Sequence, residues 1–206
     1  YIAYGADTAP SKLDDDDPAF AGWLEENGLE PNGYYLAVGR FVPENNYETM
    51  IREFMASGTD RAFALVTGVD EGFLDELEKR TGFRSDPRIR FVGTVYDQEL
   101  LKKIRENAFA YLHGHEVGGT NPSLLEALAS TRLSLLLDVG FNREVAEGAA
   151  LYWTKEAGSL IRLIMRVESV DDQEANVFRE LSREMIRVRY SWNLVVSSYE
   201  KLFLEN

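Results

Sequence analysis

Cysteine is absent from the 206 residues of the chain, which excludes disulfide frameworks and thiolate metal sites. No apolar run reaches the ~20 residues that are needed to span a bilayer. The N-terminus also lacks the charged segment followed by an apolar one that a secretory signal would have. These absences predict a soluble protein, and we expect a cytoplasmic location.

Basic residues are scarce, with 22 Lys and Arg against 35 Asp and Glu and a net charge of −13. Such a chain repels polyanions on average, so a nucleic-acid partner is not expected. A small anionic ligand remains compatible with this charge, because a helix N-terminus and one arginine can set the local potential. The length suits a single domain with its own core.

Three common motifs of the α/β classes are missing as well. No Gly-x-Gly-x-x-Gly follows the first strand, no Walker lysine loop is present, and no serine elbow is visible. The sequence therefore disfavours a dinucleotide-dependent dehydrogenase, a P-loop NTPase and an α/β-hydrolase.

Apolar strand patterns alternate with amphipathic helical patterns along most of the chain. The predicted strands span 34–40, 62–68, 89–95, 108–114, 133–140 and 150–154. Buried strands that are each followed by a helix indicate a parallel sheet covered on both faces. The sequence thus predicts an α/β fold with a Rossmann-like doubly wound parallel sheet.

The last third of the chain, from about Ala157, carries only helical patterns, including long ones at roughly 171–188 and 191–204. Apolar residues recur at helical spacing in the final segment, at Trp192, Val195, Val196, Tyr199, Leu202 and Phe203. Such a stripe must pack on something, and we expect a further domain to cover it.

The strongest candidate for a ligand-binding loop lies in "HGHEVGGTNPSLLEALAS" (113–130), where a strand turns into a helix. In open parallel sheets, ligands bind at the carboxyl ends of the strands. Gly118 and Gly119 allow close approach of the backbone to a ligand, and Thr120 or Asn121 can cap the helix. The free amides of that helix N-terminus would form an anion site.

Two charged residues near this edge have two interpretations each. Glu126 faces away from the leucine stripe of its helix, so it either takes ligand hydroxyls or is simply solvated. Gly39 and Arg40 end the first strand, where a forked guanidinium suits phosphate oxygens or serves as a surface salt-bridge partner.

The two histidines alternate as strand residues do, so one of His113 and His115 should face the ligand edge and the other the core. Only Glu116 is near enough to complete a metal site, so no metal is expected. Acid–base chemistry, contact with a sugar hydroxyl and a purely structural role all remain open for the histidines. The acidic run at 14–17 is interpreted as a solvated loop.

Four segments together carry a family resemblance: "YLAVGRFVPENNYETMI", "IRFVGTVYDQELLKKI", "HGHEVGGTNPSLLEALA" and "RYSWNLVVSSYEKLF". The chain resembles the C-terminal, donor-binding half of GT-B glycosyltransferases of the retaining family 4. The loops "GHEVGGTNPSLLEAL" and "VPENN" are most similar to those of bacterial rhamnosyltransferases, which build surface polysaccharide from dTDP-rhamnose.

The resemblance implies roles for individual residues. Arg40 would contact the donor diphosphate beside Gly39, and Glu126 would hold the nucleotide ribose as the second glutamate of an E-x7-E signature. Both are the expected catalytic residues. Tyr96 would lie near the base. The loop facing the phosphate and the donor sugar would consist of Gly118, Gly119, Thr120 and Asn121. No cofactor is implied; the substrate would be a nucleotide-diphosphate sugar, dTDP-rhamnose by this resemblance.

Two positions depart from the family pattern. The usual lysine falls at Asn45, which leaves the diphosphate with one fewer cation. The first glutamate of E-x7-E falls at Gly118, and Glu116 is a displaced candidate for its role. A non-catalytic nucleotide-sugar-binding module and a sugar-nucleotide epimerase on the same frame therefore remain alternatives.

The resemblance also implies a division of the chain. Residues 1–17 would be the end of an N-terminal domain and a linker, 18–188 the donor-binding domain, and 189–206 a helix that packs back on the N-terminal domain. That domain would supply the saccharide or lipid-linked acceptor site, so the fragment alone should be inactive. The full-length enzyme would transfer a hexose with retention, in the cytoplasm or at the inner face of the membrane.

Overall fold

The computed structural model describes residues 3–204, which fold around a six-stranded sheet. The strands are β1 (Tyr34–Val38), β2 (Ala62–Val66), β3 (Ile89–Phe91), β4 (Ala110–His113), β5 (Ser134–Leu137) and β6 (Leu151–Trp153). Every neighbouring pair is parallel, in the order β3-β2-β1-β4-β5-β6. The predicted doubly wound parallel sheet is confirmed.

Helices cover both faces of this sheet. They are α1 (Pro18–Asn27), α2 (Tyr47–Ala56), α3 (Glu71–Thr81), α4 (Gln98–Glu106), α5 (Pro122–Ser130), α6 (Gly140–Ala146), α7 (Ser159–Val167), α8 (Asp172–Arg189) and α9 (Trp192–Leu204). Short 3-10 turns lie at Pro43–Asn45, Phe83–Ser85 and Glu147–Ala149. Within the described residues, no helix is both long enough and apolar enough to cross a membrane.

The two faces of β1 show why its sequence is apolar throughout. Tyr34 packs among residues of α1 and α4, and Tyr35 packs among residues of α2 and β2. Each buried hydroxyl has a partner, as burial requires: Tyr34 donates to the carbonyl of Ile104 at 2.6 Å, and Tyr35 donates to Glu168 Oε1 at 2.9 Å. Alternating apolar side chains therefore fill a core on both sides of the sheet.

Several strands are shorter than their apolar patterns predict, because the last predicted residues turn away into loops. Gly39 and Arg40 follow β1, and Gly114 follows β4. A Cβ on Gly114 would lie 2.3 Å from the carbonyl oxygen of Asn45. The absence of a side chain there lets the loops after β1 and β4 touch each other.

The acidic run at 14–17 is more than the solvated loop that the sequence predicts. The carboxylate of Asp17 accepts a hydrogen bond from the amide of Ala19 at 2.8 Å and so caps α1. Asp15 forms an ion pair with Lys103 of α4 at 2.6 Å. The run therefore fastens the start of α1 to the neighbouring helix.

The first described residues run beside the start of α9. The amide of Ala6 donates to the carbonyl of Tyr190 at 2.8 Å. Along α9 the apolar stripe stays largely uncovered within residues 3–204: Val195 is buried, and Trp192 and Phe203 are exposed. The outer ends of the predicted segments 1–17 and 189–206, residues 1–2 and 205–206, lie outside the described residues.

Candidate functional site

The order of the sheet reverses at β1, which lies between β2 and β4. At such a switch point the loops after the two strands diverge and leave a crevice, the usual ligand site of open α/β sheets. A cavity of about 320 Å³ occupies this position. Its polar lining comes from Gly39, Arg40, Asn45, His113, His115, Asn121 and Ser123.

A larger cavity, of about 830 Å³, lies at the opposite, amino-terminal edge of the sheet. Two of its arginines are already neutralised, since Arg61 pairs with Glu168 at 3.1 Å and Arg88 pairs with Asp86 at 2.6 Å. Its third arginine, Arg90, is exposed, and none of its lining residues in the described part of the chain lies at the start of a helix. The switch-point cavity is smaller, but it combines an unpaired cation with a helix N-terminus. We therefore take the switch-point cavity as the candidate site.

Arg40 supplies that cation. Its side chain is exposed at the cavity, and no carboxylate within the described residues lies at ion-pair distance from it. The surface salt bridge that the sequence left open is thus not found in residues 3–204. Gly39 beside it leaves room for its neighbours, because a Cβ there would lie only 3.2 Å from Asn45 Nδ2.

Asn45, where the resemblance implies a lysine, joins the two loops of the site. Its Nδ2 donates to the carbonyl of Arg40 at 2.6 Å, which leaves its Oδ1 to accept from His115 Nδ1 at 2.8 Å. This arrangement favours the tautomer of a neutral His115 that carries its proton on Nδ1. Burial is the main cause that lowers the pKa of His115, which favours that neutral form, and a hydrogen bond between the ring and the backbone of Val117 raises the pKa in the opposite direction.

The two histidines divide as the strand alternation predicts. His113 is buried, and His115 is partly exposed beside the glycine loop, where a Cβ on Gly118 would lie 3.9 Å from His115 Nε2. Burial lowers the pKa of His113 to about 3, so this ring is neutral. Its Nε2 is buried with no hydrogen-bond partner in the structure.

The N-terminus of α5 opens on the cavity, but two of its amides are already used. Asn121 Oδ1 accepts from the amides of Ser123 at 2.9 Å and Leu124 at 3.4 Å, so Asn121 is the cap. The predicted cap at Asn121 is thus present, and it takes two of the amides that the sequence analysis left to an anion. Ser123, which the sequence did not single out, lines the cavity and donates its hydroxyl to the carbonyl of Val38 at 2.9 Å.

The other residues of the glycine loop lie outside the cavity lining. Gly118 has a φ of +105°, a backbone conformation that favours glycine, and Gly119 is exposed. Thr120 is partly exposed. The structure thus brings Asn121 into the cavity but not the three residues before it.

Glu116 lies beside the cavity and pairs with a lysine that the sequence did not point to. Its backbone amide donates to the carbonyl of Glu44 at 3.1 Å, and its carboxylate contacts Lys155. The pKa of Glu116 is lowered, chiefly by the hydrogen bond from Lys155. Lys155 lies just beyond the carboxyl end of β6, and this position was the one sign in the sequence that it could lie near the site.

Glu126 lies elsewhere, outside the lining of the switch-point cavity. Its Oε2 is 2.6 Å from an amino nitrogen of Arg105, a side chain only 3% exposed. It lines a cleft of about 150 Å³ between α4 and α5 instead. The alternative interpretation, in which Glu126 is simply solvated, is thus wrong. Tyr96, just before α4, is 85% exposed.

A metal has no evident site in the described residues, since no three His, Asp or Glu side chains group there as ligands would. The cationic group at the cavity is the guanidinium of Arg40. Arg40, hydrogen-bond donors and the end of α5 are groups at this edge that could stabilise negative charge.

No protein-family profile matches the sequence, and no curated protein sequence matches it. Solved structures do match. A glycosyltransferase from Rickettsia africae has a TM-score of 0.85 at 14% identity, covering 99% of this chain and 56% of that one. Anabaena HepE in complex with UDP and glucose has a TM-score of 0.84 at 16% identity, and the match covers 100% of this chain and 56% of HepE. Sucrose-phosphate synthase from Thermosynechococcus elongatus has a TM-score of 0.78 at 18% identity, and the match covers 99% of this chain and 51% of the synthase.

The fold is that of a GT-B C-terminal domain. The chain spans little more than half the length of these three structures. At these identities the likeness establishes the architecture. It does not assign roles to Arg40, Glu126 or the glycine loop.

Proposed function

We propose that this chain is the nucleotide-sugar donor-binding domain of a glycosyltransferase. The observation that carries the proposal is Arg40, an exposed guanidinium without an acidic partner in residues 3–204, at the switch-point cavity of a GT-B domain. An unpaired arginine beside a helix N-terminus suits an anion with several oxygens, such as a diphosphate. That Anabaena HepE was solved with UDP and glucose supports the same class of ligand.

In the proposed reaction, Arg40 and the start of α5 stabilise the negative charge that develops on the leaving diphosphate. The sugar would lie at the cavity, where Nε2 of a neutral His115 can accept a hydroxyl proton in a hydrogen bond. Asn45 holds this histidine and the backbone of Arg40 close to each other through its two hydrogen bonds. No metal takes part in this scheme.

We further propose the finer assignment that the loop sequences favour: a dTDP-rhamnose donor, transfer with retention, and a bacterial surface polysaccharide or lipid-linked acceptor. The acceptor site would belong to a part of the protein outside this chain, and the isolated chain would bind donor without transferring it. A full-length protein incubated with dTDP-rhamnose and acceptor would test transfer, and the anomeric configuration of the product would test retention.

The donor assignment is tested by thermal unfolding of the chain with dTDP, dTDP-rhamnose, UDP, UDP-glucose and GDP-mannose. A ligand at about 100 times its Kd stabilises by ~2.7 kcal/mol, which corresponds to several degrees in Tm for a chain of this size. Arg40→Ala should weaken binding about tenfold or more, because a charge-assisted hydrogen bond is lost.

Arg90→Ala is the matched control, since Arg90 is an exposed arginine at the larger cavity on the opposite edge. We expect it to bind as the unmodified chain does. A shift with UDP or GDP sugars alone would keep the donor-binding proposal and reject rhamnose. No shift with any nucleotide, or equal losses in both arginine variants, would contradict the proposed function.

A further inference from the structure

We propose that Arg105 is a positioning residue, which holds the Glu126 carboxylate in place for the nucleoside part of the donor; the inference rests on the proposed function. Arg105 is on α4 and does not line the switch-point cavity. It would act through Glu126, its partner on α5. The structure supports this role through the burial of Arg105, the exposure of Glu126 and the place of their cleft.

Arg105 is a buried cation with an ionic partner. Its side chain is 3% exposed, and Glu126 is the one carboxylate at ion-pair distance from it in the part of the chain that the structure describes. Its Nε is buried without a partner. A buried guanidinium is stable only when an anion compensates its charge. The Glu126 carboxylate thus compensates a buried charge, which favours its position beside Arg105.

Glu126 is accessible, unlike Arg105. Its side chain is 40% exposed, and its Oε2 lies 2.6 Å from the guanidinium of Arg105. The cleft beside it is lined by Gln98 and Lys102 from α4. A ligand in the cleft could therefore hydrogen-bond to a carboxylate whose rotamer is already set, which lowers the entropy cost of binding.

The cleft lies where the nucleoside would follow the diphosphate. α5 begins at Pro122, which lines the switch-point cavity, and Glu126 comes one turn later, ~6 Å along the helix axis. Gln98, at the start of α4, donates to the carbonyl of Tyr96 at 3.2 Å and lines the cleft. A diphosphate beside Arg40 would thus extend its nucleoside along α5 toward α4.

The experiment compares Arg105→Met with Lys103→Met in this chain by isothermal calorimetry, using UDP, dTDP and inorganic pyrophosphate as ligands. Lys103 is a matched control, because it is also a buried cation of α4, paired at 2.6 Å with Asp15 rather than with Glu126. Pyrophosphate carries no nucleoside, so it reports on the Arg40 cavity alone. The Tm of each variant is measured alongside.

We expect Arg105→Met to weaken UDP and dTDP binding about tenfold, the loss of one well-placed polar contact. Pyrophosphate binding should change less than about twofold, and Lys103→Met should bind all three ligands as the unmodified chain does. Arg105→Lys should recover part of the loss, because it restores the charge without the planar fork. Arg105→Met combined with Glu126→Gln should bind no more weakly than Glu126→Gln alone, since one residue acts through the other.

Equal losses for pyrophosphate and the nucleotides would indicate general loosening of α4 and α5 and would overturn the inference. Additive losses in the double variant would overturn it too. If Arg105→Met binds UDP and dTDP normally, the inference fails and the proposed function stands. If the unmodified chain binds neither UDP nor dTDP, this inference fails, and the proposed function fails with it when GDP-mannose gives no shift in Tm either.

Discussion

Asn45 Oδ1 accepts a hydrogen bond from His115 Nδ1 at 2.8 Å, across the gap between the loops after β1 and β4. The same side chain holds the carbonyl of Arg40 at 2.6 Å. A lysine at this position could not accept from the imidazole, because an ammonium has only donors. Asn45 thus provides a connection between the loops in place of a second cation.

Asn45→Ala should therefore weaken pyrophosphate binding severalfold, because Arg40 and His115 lose their common tether. We also expect a loss of about 1 kcal/mol in the free energy of unfolding, since two partly exposed hydrogen bonds disappear. Asn176→Ala, at an exposed position of α8, should change neither quantity by more than about 0.5 kcal/mol. Calorimetry and urea unfolding check both values, and normal pyrophosphate affinity in Asn45→Ala would contradict the tether.

Gly114→Ala should disrupt the same pair of loops from the other side. The added Cβ would lie 2.3 Å from the carbonyl oxygen of Asn45, a backbone atom that cannot rotate away. We expect a loss of about 1 to 3 kcal/mol, typical of overpacking, and weaker pyrophosphate binding. Gly22→Ala in α1 is the control, because a Cβ there meets nothing within 4 Å and alanine favours a helix. Unchanged stability in Gly114→Ala would show that the loops separate easily.

The architecture was predictable because it depends on local periodicity. Continuous apolar strands followed by amphipathic helices require a covered parallel sheet, and the strand bounds differ only at their ends. The place of the site followed from the same pattern, since Arg40, Asn45 and Asn121 lie at the carboxyl ends of strands or just beyond them. Arg40 comes just after an apolar run, and Asn45 and Asn121 lie in the loops that lead from a strand to the next helix.

Contacts between distant segments were not predictable from one sequence. Glu126 was correctly placed off the leucine stripe of α5, but nothing local shows that Arg105 of α4 lies beneath it. The ion pair between Lys155 and Glu116 was not predictable either, because it joins loops that follow different strands. Periodicity gives the face of a helix on which a charge lies, and the fold decides what that charge contacts.

Glu53 is a further case, because it is a buried glutamate on α2 that serves another helix. Its carboxylate accepts from the amides of Gly158 at 2.9 Å and Ile161 at 3.2 Å, so it caps α7, whose own N-cap residue Gly158 has no side chain. Glu53→Ala should cost about 1 to 3 kcal/mol in urea unfolding, because these amides lose a charged partner. Glu25→Ala, at an exposed position of α1, should cost less than about 0.5 kcal/mol. A similar small cost for Glu53→Ala would show that water caps α7 equally well.

His113 should make the chain less stable in mild acid. Burial lowers its pKa in the folded chain from 6.5 to about 3, so below pH 6.5 the unfolded chain takes up a proton that the folded chain refuses. The stabilisation is complete above pH 6.5 and is lost progressively as the pH falls toward 3. Between pH 7 and pH 5 the expected loss is about 2 kcal/mol.

Urea unfolding at pH 7, 6 and 5 measures this loss in a window above the titration of most carboxylates. His113→Leu removes the titrating ring and should flatten the dependence. A smaller slope should remain, because burial also lowers the pKa of His115, the only other histidine of the chain. His115→Gln should remove that remainder and leave most of the loss due to His113. An unchanged slope in His113→Leu would mean that the buried ring accepts a proton without unfolding, and that its unpartnered Nε2 reaches water.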